Sequence, residues 1–396
     1  MADRLKVMTV VGTRPEIIRL SATIKLLEEH TDHVLVHTGQ NYDYELNEVF
    51  FEDLGLRRPD HFLNADTSSL GAALGSILAK TEQVLLVERP DAFLVLGDTN
   101  SCISAVIAKR LQVPIFHMEA GNRSFDENVP EETNRRLVDH VSDYNLVYTE
   151  HARRNLLAEG IHPSRILLTG SPMKEVLQQN ADQIDESDVL ARQDLATSGY
   201  FLVSLHREEN VDHPERLRSA VEALQALRAQ YQLPILVSTH PRTRKRLEGL
   251  EDSVKNGIVF HPPFGFHDYV KLQKEAKLVL SDSGTISEES SILGFPAVTM
   301  RDFIERPEAL DAGAIITTGL QADAVIDSVR IELDAFGRRI RGTIPAEYGI
   351  GNTSERVLAF IRSVTHTHRR RLGLNEPSRA DHRPSKPRER AMGFMH

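Results

Sequence analysis

The chain has little sulfur, no tryptophan and no long apolar run. A single cysteine, Cys102, stands among 396 residues. One thiol closes no internal disulfide and builds no cysteine-rich zinc site, so a stapled secreted scaffold is excluded and a reducing, cytoplasmic setting is expected. Nowhere do about 18 apolar residues follow one another. The N-terminal MADRLKVMTVVGTRP is too short in apolar residues for a signal segment, and a chain without a membrane span is expected. Positive charge is scarce as well: 47 Lys and Arg against 57 Asp and Glu leave −10. That balance argues against a nucleic-acid partner, because a phosphate backbone is bound by concentrated cations.

Missing motifs narrow the chemistry further. No GxGxxG follows an apolar run and no GxxxxGK[ST] occurs, which removes support for NAD and ATP chemistry. No GxSxG elbow is present, which counts against acyl transfer. His206, His240, His261 and His267 are not spaced as the i, i+4 pair of a zinc helix, and no metal site is expected.

What is present is a regular alternation. Short β-branched runs bounded by Gly, Pro or Asp begin at Leu5, Val34, Ala92, Pro114 and Asn145, with helical spacing between them over 16–29, 69–88 and 131–141. A second series begins at Tyr200, Pro234, Gly257, Lys277 and Pro296. Strand–helix alternation of this kind predicts parallel sheets wrapped by helices, here two Rossmann-like α/β domains in tandem. Residues 1–173 form the first, 199–345 the second, and the polar, acidic stretch 174–198 connects them. The last 32 residues, 365–396, carry eight Lys or Arg and three Asp or Glu. With no apolar periodicity, that basic tail is expected to be disordered.

In open parallel sheets ligands sit beyond the carboxyl ends of the strands, so the polar residues that end each apolar run are the candidates. They include Arg14 in GTRPE, Asp98 in GDTNS, Glu119 in HMEAGNRS, His206 in LHREEN, His240 in STHPRT and Arg306 in ERPE. The segment SDSGTISEES reads as a strand end, a turn at Ser283 and Gly284, and a helix starting near Thr285. Its free N–H groups and dipole make an anion cradle, and Glu289 is placed to accept ribose hydroxyls; ordinary N-capping is the plainer reading. Arg14 and Arg306 stand where their side chains can converge on a shared cleft and, with that cradle, point to a diphosphate; for either alone a surface salt bridge is the plainer reading. Asp98, Glu119 and Glu131 are three carboxylates able to divide acid and base duties where their environments separate them. For Asp98 a helix cap, and for Glu131 a dipole interaction in a first turn, are the plainer readings.

Taken together, GTRPE, GDTNS, HMEAGNRS, PEETNRR, HREEN, SDSGTISEES and ERPE, in that order, resemble the non-hydrolysing UDP-N-acetylglucosamine 2-epimerases over about residues 6 to 361. The resemblance implies a glycosyltransferase-B fold with the active site in the interdomain cleft, and a C-terminal helix, 346–364, crossing back to the first domain. It also implies a homodimer and an isomerase without a redox cofactor. It assigns Arg14, Arg19, His240, Ser283, Gly284, Thr285, Glu289 and Arg306 to the UDP-sugar, and Asp98, Glu119, Glu131 and His206 to catalysis. The implied reaction expels UDP to leave a 2-acetamidoglycal and re-adds it after the proton returns to the other face of C2.

Two departures stand out. Arg19 occupies a position where the main family has lysine, and Gln40 to Leu46 replace the family's bacterial regulatory segment, which puts allosteric activation in doubt. The strings TGQNYDYELNEVFF, FHMEAGNRSFDENVPEETNRR, TGSPMKEVL and HREENVDHPERL resemble the branch that forms UDP-N-acetyl-L-fucosamine for capsule, O-antigen or related surface glycans. The alternatives are the epimerase forming UDP-N-acetylmannosamine and, in another class, a UDP-sugar-dependent glycosyltransferase of the same fold.

Overall fold

The computed structural model describes residues 4–40, 44–126, 129–247, 257–302, 306–338, 343–371 and Gly373. Two parallel sheets organise the chain. The first comprises β1 (Lys6–Val11), β2 (Asp32–His37), β3 (His61–Phe62), β4 (Ala92–Leu96), β5 (Ile115–Met118), β6 (Tyr144–Val147) and β7 (Ile166–Leu168) in the order β3-β2-β1-β4-β5-β6-β7. The second comprises β8 (Phe201–Leu205), β9 (Ile235–Thr239), β10 (Ile258–His261), β11 (Leu278–Ser281), β12 (Ala297–Thr299) and β13 (Ile316–Thr317) in the order β10-β9-β8-β11-β12-β13. Each apolar run read as a strand is one. The strands that escaped the sequence reading, β3, β7 and β13, all lie at sheet edges, where two or three residues suffice and no continuous apolar run is needed.

Helices cover both faces of each sheet, which is why the central strands are apolar throughout: Val7, Met8, Val10 and Val11 are fully buried. The helix Arg14–His30 illustrates the packing. Ile17, Leu20, Ile24 and Leu27 recur at helical spacing and are buried, and Pro15 in the first turn suits a helix start. The helix Leu70–Glu88 is the only one among the described residues long and apolar enough to cross a membrane. Ala73, Ile77, Val84 and Leu85 on it are buried within the protein.

After β7 the chain passes through three short helices, Met173–Gln179, Ala181–Glu186 and Val189–Arg192, before β8. The terminal helix differs from its expected bounds: a 3-10 turn at Ala346–Gly349 comes first, and the helix itself is Thr353–Arg371. It lays Val357, Leu358, Ile361 and Val364 into the apolar cluster of Ile17, Leu20 and Ile24 in the first domain. The disorder expected from residue 365 is therefore corrected over 365–371, where the helix continues. His368 explains the extension, because its ring is buried within 3.3 Å of the Tyr144 hydroxyl and 3.9 Å of the Asp143 carboxylate. Residues 374–396 of the tail lie outside the described residues.

The two passages between the domains run side by side. Ser171 N–H donates to the Glu347 carbonyl (3.3 Å), Lys174 Nζ to the Gly349 carbonyl (2.6 Å), Thr353 Oγ1 to the Ser171 carbonyl (3.2 Å), and Ser354 N–H to Glu175 (2.9 Å). Gly170 sits at φ +83°, and a Cβ there would meet Ile350 at 2.6 Å, so only glycine lets the two passages touch.

Candidate functional site

Strand order reverses between β1 and β4 in the first sheet and between β8 and β11 in the second. The loops leaving such neighbours diverge to opposite faces and open a crevice at the carboxyl edge. The two crevices face each other across one cavity of about 710 Å³, which has room for a nucleotide-sized ligand. All twelve residues singled out in the sequence line it: Arg14, Arg19, Asp98, Glu119, Glu131, His206, His240, Ser283, Gly284, Thr285, Glu289 and Arg306.

The first domain supplies the carboxylates. Glu16, third residue of its helix, reaches back past the N-cap to accept from Gly12 N–H (2.9 Å) and Thr13 Oγ1 (2.8 Å). It also accepts from Thr99 Oγ1 (3.1 Å) and Ser101 Oγ, so it ties the β1 turn to the β4 turn. Burial pushes its pKa up to about 7 against those hydrogen bonds. One layer further in, His117 on β5 meets Asp139 through Nδ1 (2.9 Å) and the Gly97 carbonyl through Nε2 (2.7 Å), while Gly121 N–H donates to Asp139 (3.1 Å). That buried network fixes the two turns that carry Asp98 and Glu119. Glu119 itself sits at φ +63°, a left-handed conformation that costs a non-glycine residue energy and aims its carboxylate into the cleft.

The three candidate acids have different surroundings. Asp98 caps no helix; its carboxylate pairs with Arg135 and its carbonyl accepts from Asn134 Nδ2 (2.9 Å). At Glu119 burial pushes the carboxyl up, but the guanidiniums of Arg19, Arg306 and Arg135 outweigh it and hold its pKa below the ordinary carboxylate value. Glu131 opens the helix Pro130–Val141, and its pKa is raised, first by burial and then by the charge of Asp98.

The second domain supplies donors. The helix Ile286–Leu293 begins at Thr285, and the Ser283 and Thr285 hydroxyls lie 2.9 Å apart at its open end. Glu289 accepts from Gln273 Nε2 (2.5 Å), and burial raises its pKa against that bond. His206 approaches Asp282 (3.2 Å), a buried carboxylate that also accepts from the backbone of His206 (3.1 Å) and Arg207 (3.0 Å) and from Asn210 Nδ2 (3.1 Å). Arg14, from the opposite wall, lies 5.7 Å from the Phe50 ring centroid.

Arg306 is drawn deeper than the sequence reading placed it. Its guanidinium pairs with Glu119 of the first domain (2.7 Å) and with Glu288 of its own. Arg19 pairs with the same two acids, Glu119 closely and Glu288 at 3.6 Å. Glu288, the structural role of Glu16, and Arg135 were not found from sequence. Only Glu16 carried a signal, the T-x-x-E pattern at Thr13. Glu305 of ERPE and residues 41–43 of the segment after Gln40 lie outside the described residues. Among the described residues no group of three His, Cys, Asp or Glu is placed to hold a metal ion.

Comparison with known proteins agrees with this arrangement. Residues 25–362 match the family model described as UDP-N-acetylglucosamine 2-epimerase. The chain is 38% identical over 366 residues to a UDP-N-acetylglucosamine 2-epimerase of Methanocaldococcus jannaschii, covering 90% of this chain and 99% of that one. It is 37% identical over 365 residues to a UDP-2,3-diacetamido-2,3-dideoxy-D-glucuronate 2-epimerase of Pseudomonas aeruginosa, covering 91% and 100%. The structure of a UDP-N-acetylglucosamine 2-epimerase from Rickettsia bellii superposes with a TM-score of 0.87 at 46% identity, over 93% of this chain and 99% of that one. The M. jannaschii enzyme in complex with UDP-GlcNAc and UDP superposes with a TM-score of 0.85 at 39% identity, over 91% and 100%.

Proposed function

Since the chain belongs to the UDP-N-acetylglucosamine 2-epimerase family and is an isomerase, we propose that it inverts C2 of a UDP-2-acetamido sugar by eliminating UDP and adding it back. The observation that carries this reading is the opposition of the two walls: three carboxylates in different environments face an anion cradle across one cavity. In the forward step a carboxylate takes the C2 proton, the C1–C2 double bond forms, and the C1–oxygen bond to the diphosphate breaks. The pair of electrons leaves with UDP, whose charge the helix N-terminus, the hydroxyls of Ser283 and Thr285, and the arginines stabilise. In the return step a proton is delivered to the other face of C2 and the UDP oxygen re-forms the bond to C1. Electrons balance without an external oxidant or reductant.

The surroundings of the acids divide their duties. Glu119, held as a carboxylate by its arginines, is the base, and Glu131, with its raised pKa, carries a proton to the opposite face. Burial first, and then the neighbouring Asp98, keep that pKa up. The sugar is read from the strings around Gln40, Arg123 and His206, which favour a 6-deoxy-L-talo substrate and UDP-N-acetyl-L-fucosamine as product. The names of the relatives favour UDP-N-acetylglucosamine equally. A homodimer is carried over from the resemblance, and light scattering on the purified protein tests it.

The deciding experiment is NMR in heavy water with each nucleotide sugar in turn. Deuterium entering at C2 of either sugar is expected and identifies the substrate. No exchange with either, in protein that binds UDP, would overturn the epimerase reading.

A further inference from the structure

Four charged side chains that meet at the back of the cavity form a closed ring of alternating sign. Glu119 pairs with Arg306, Arg306 with Glu288, Glu288 with Arg19, and Arg19 with Glu119 again. Two of these contacts, Glu119–Arg306 at 2.7 Å and Arg19–Glu288 at 3.6 Å, cross from one domain to the other. The side chains are 11%, 5%, 0% and 4% exposed in that order, so the pairs are screened little by water. A forked guanidinium is what lets Arg19 touch two carboxylates at once; an ammonium is a single point of charge.

Glu288 differs from the rest of the ring. Arg19, Arg306 and Glu119 line the cavity, whereas Glu288 stands behind its wall and cannot touch a ligand. Among the described residues neither of its carboxylate oxygens accepts a hydrogen bond, so the two guanidiniums alone balance its charge. It is also the third residue of the helix Ile286–Leu293, one position before Glu289, which faces the cavity. A negative charge there offsets the helix dipole at the very end that forms the cradle.

We propose that Glu288 is a positioning residue that competes with the nucleoside diphosphate for Arg19 and Arg306, and so keeps the diphosphate loosely enough held to leave and return within one turnover. This rests on the UDP-sugar reading above. With the diphosphate absent, Glu288 and Glu119 keep both guanidiniums at the cavity wall. When it arrives, the arginines shift part of their charge to it at Glu288's expense. An anion that only stiffened the fold would strengthen ligand binding by its presence; an anion that competes weakens it.

The sign of the effect on UDP affinity is therefore the test. UDP binding by calorimetry and epimerisation rates are compared between the parent protein and Glu288→Gln. The expected result is UDP bound about tenfold more tightly, with kcat reduced about tenfold and KM unchanged or lower, since the ligand gains guanidinium charge that Glu288 had shared. UDP affinity unchanged or weakened in folded Glu288→Gln would overturn the proposal. Should the amide variant not fold, Glu288→Asp carries the test. Its shorter reach withdraws further from the 3.6 Å contact with Arg19, and the same two changes are expected at about threefold; their absence overturns the proposal. A parent protein that binds no UDP at all would instead remove the UDP-sugar reading, and the proposal with it.

Discussion

The two walls of the cavity are built from the same topological device and do opposite things. On the first domain the carboxyl ends of β1, β4 and β5 and the helix that follows present Glu16, Asp98, Glu119 and Glu131; burial raises Glu16 and Glu131, while arginines hold Glu119 down. On the second, the loops at the β8/β11 reversal present a helix N-terminus, two hydroxyls and a histidine braced by a buried aspartate. One wall can exchange protons; the other can hold charge without moving. A shared fold thus says where a ligand sits, and the polar residues at the strand ends say what is done to it.

That division can be broken most sharply at Glu119. Replacing it with glutamine is expected to cut turnover by about a hundred- to ten-thousandfold, the usual share of a positioned base, while UDP measured by calorimetry binds no more weakly, because Glu119 also shares Arg19 and Arg306. Parallel loss of both would erase the distinction between the walls.

A smaller effect is expected at Glu16, as a pH dependence of stability. Its pKa in the folded protein, about 7, lies above the ordinary 4.5. Between these values the folded state holds the extra proton, so the stability Glu16 contributes is full below pH 4.5 and is lost as the pH rises through 7. Relative to Glu16→Gln, the parent should lose up to about 3 kcal/mol across that window. Urea unfolding of both proteins at pH 5 and pH 8 measures it, and a constant difference would show that Glu16 does not titrate there. The smallest of the three belongs to the donor wall: Arg306→Ala should weaken UDP binding by about 1.5 to 3 kcal/mol, the worth of a charged hydrogen bond. Unchanged affinity would mean that Arg306 serves only the ion ring.

Much of the site was legible because it lies where apolar runs stop, and a strand end is visible in a sequence. Asp98, Glu119 and His206 needed no more than that. Glu288 was not legible: Glu289 could be read toward the cavity, but nothing in SEES says that the neighbouring acid, about 100° away on the helix, turns behind the wall to meet Arg19 and Arg306. Nor were β3, β7 and β13, whose edge positions ask for no apolar run. The last two turns of the terminal helix were missed for another reason. Their packing residue is His368, and a histidine is not counted when apolar periodicity is sought, although its ring buries well against Tyr144.

The paired passages between the domains carry a mechanical consequence. A single linker would let one domain swing and twist about a point. Two passages bonded to each other along Ser171–Glu175 and Glu347–Ser354 resist twisting more than one linker would, so the rotation that strains these bonds least is about the line they share. The terminal helix is the second bearing on that line. Shortening the chain ahead of Thr353 would remove it and leave the register of the two walls to the remaining contacts between them, Glu119–Arg306 and Arg19–Glu288 among them.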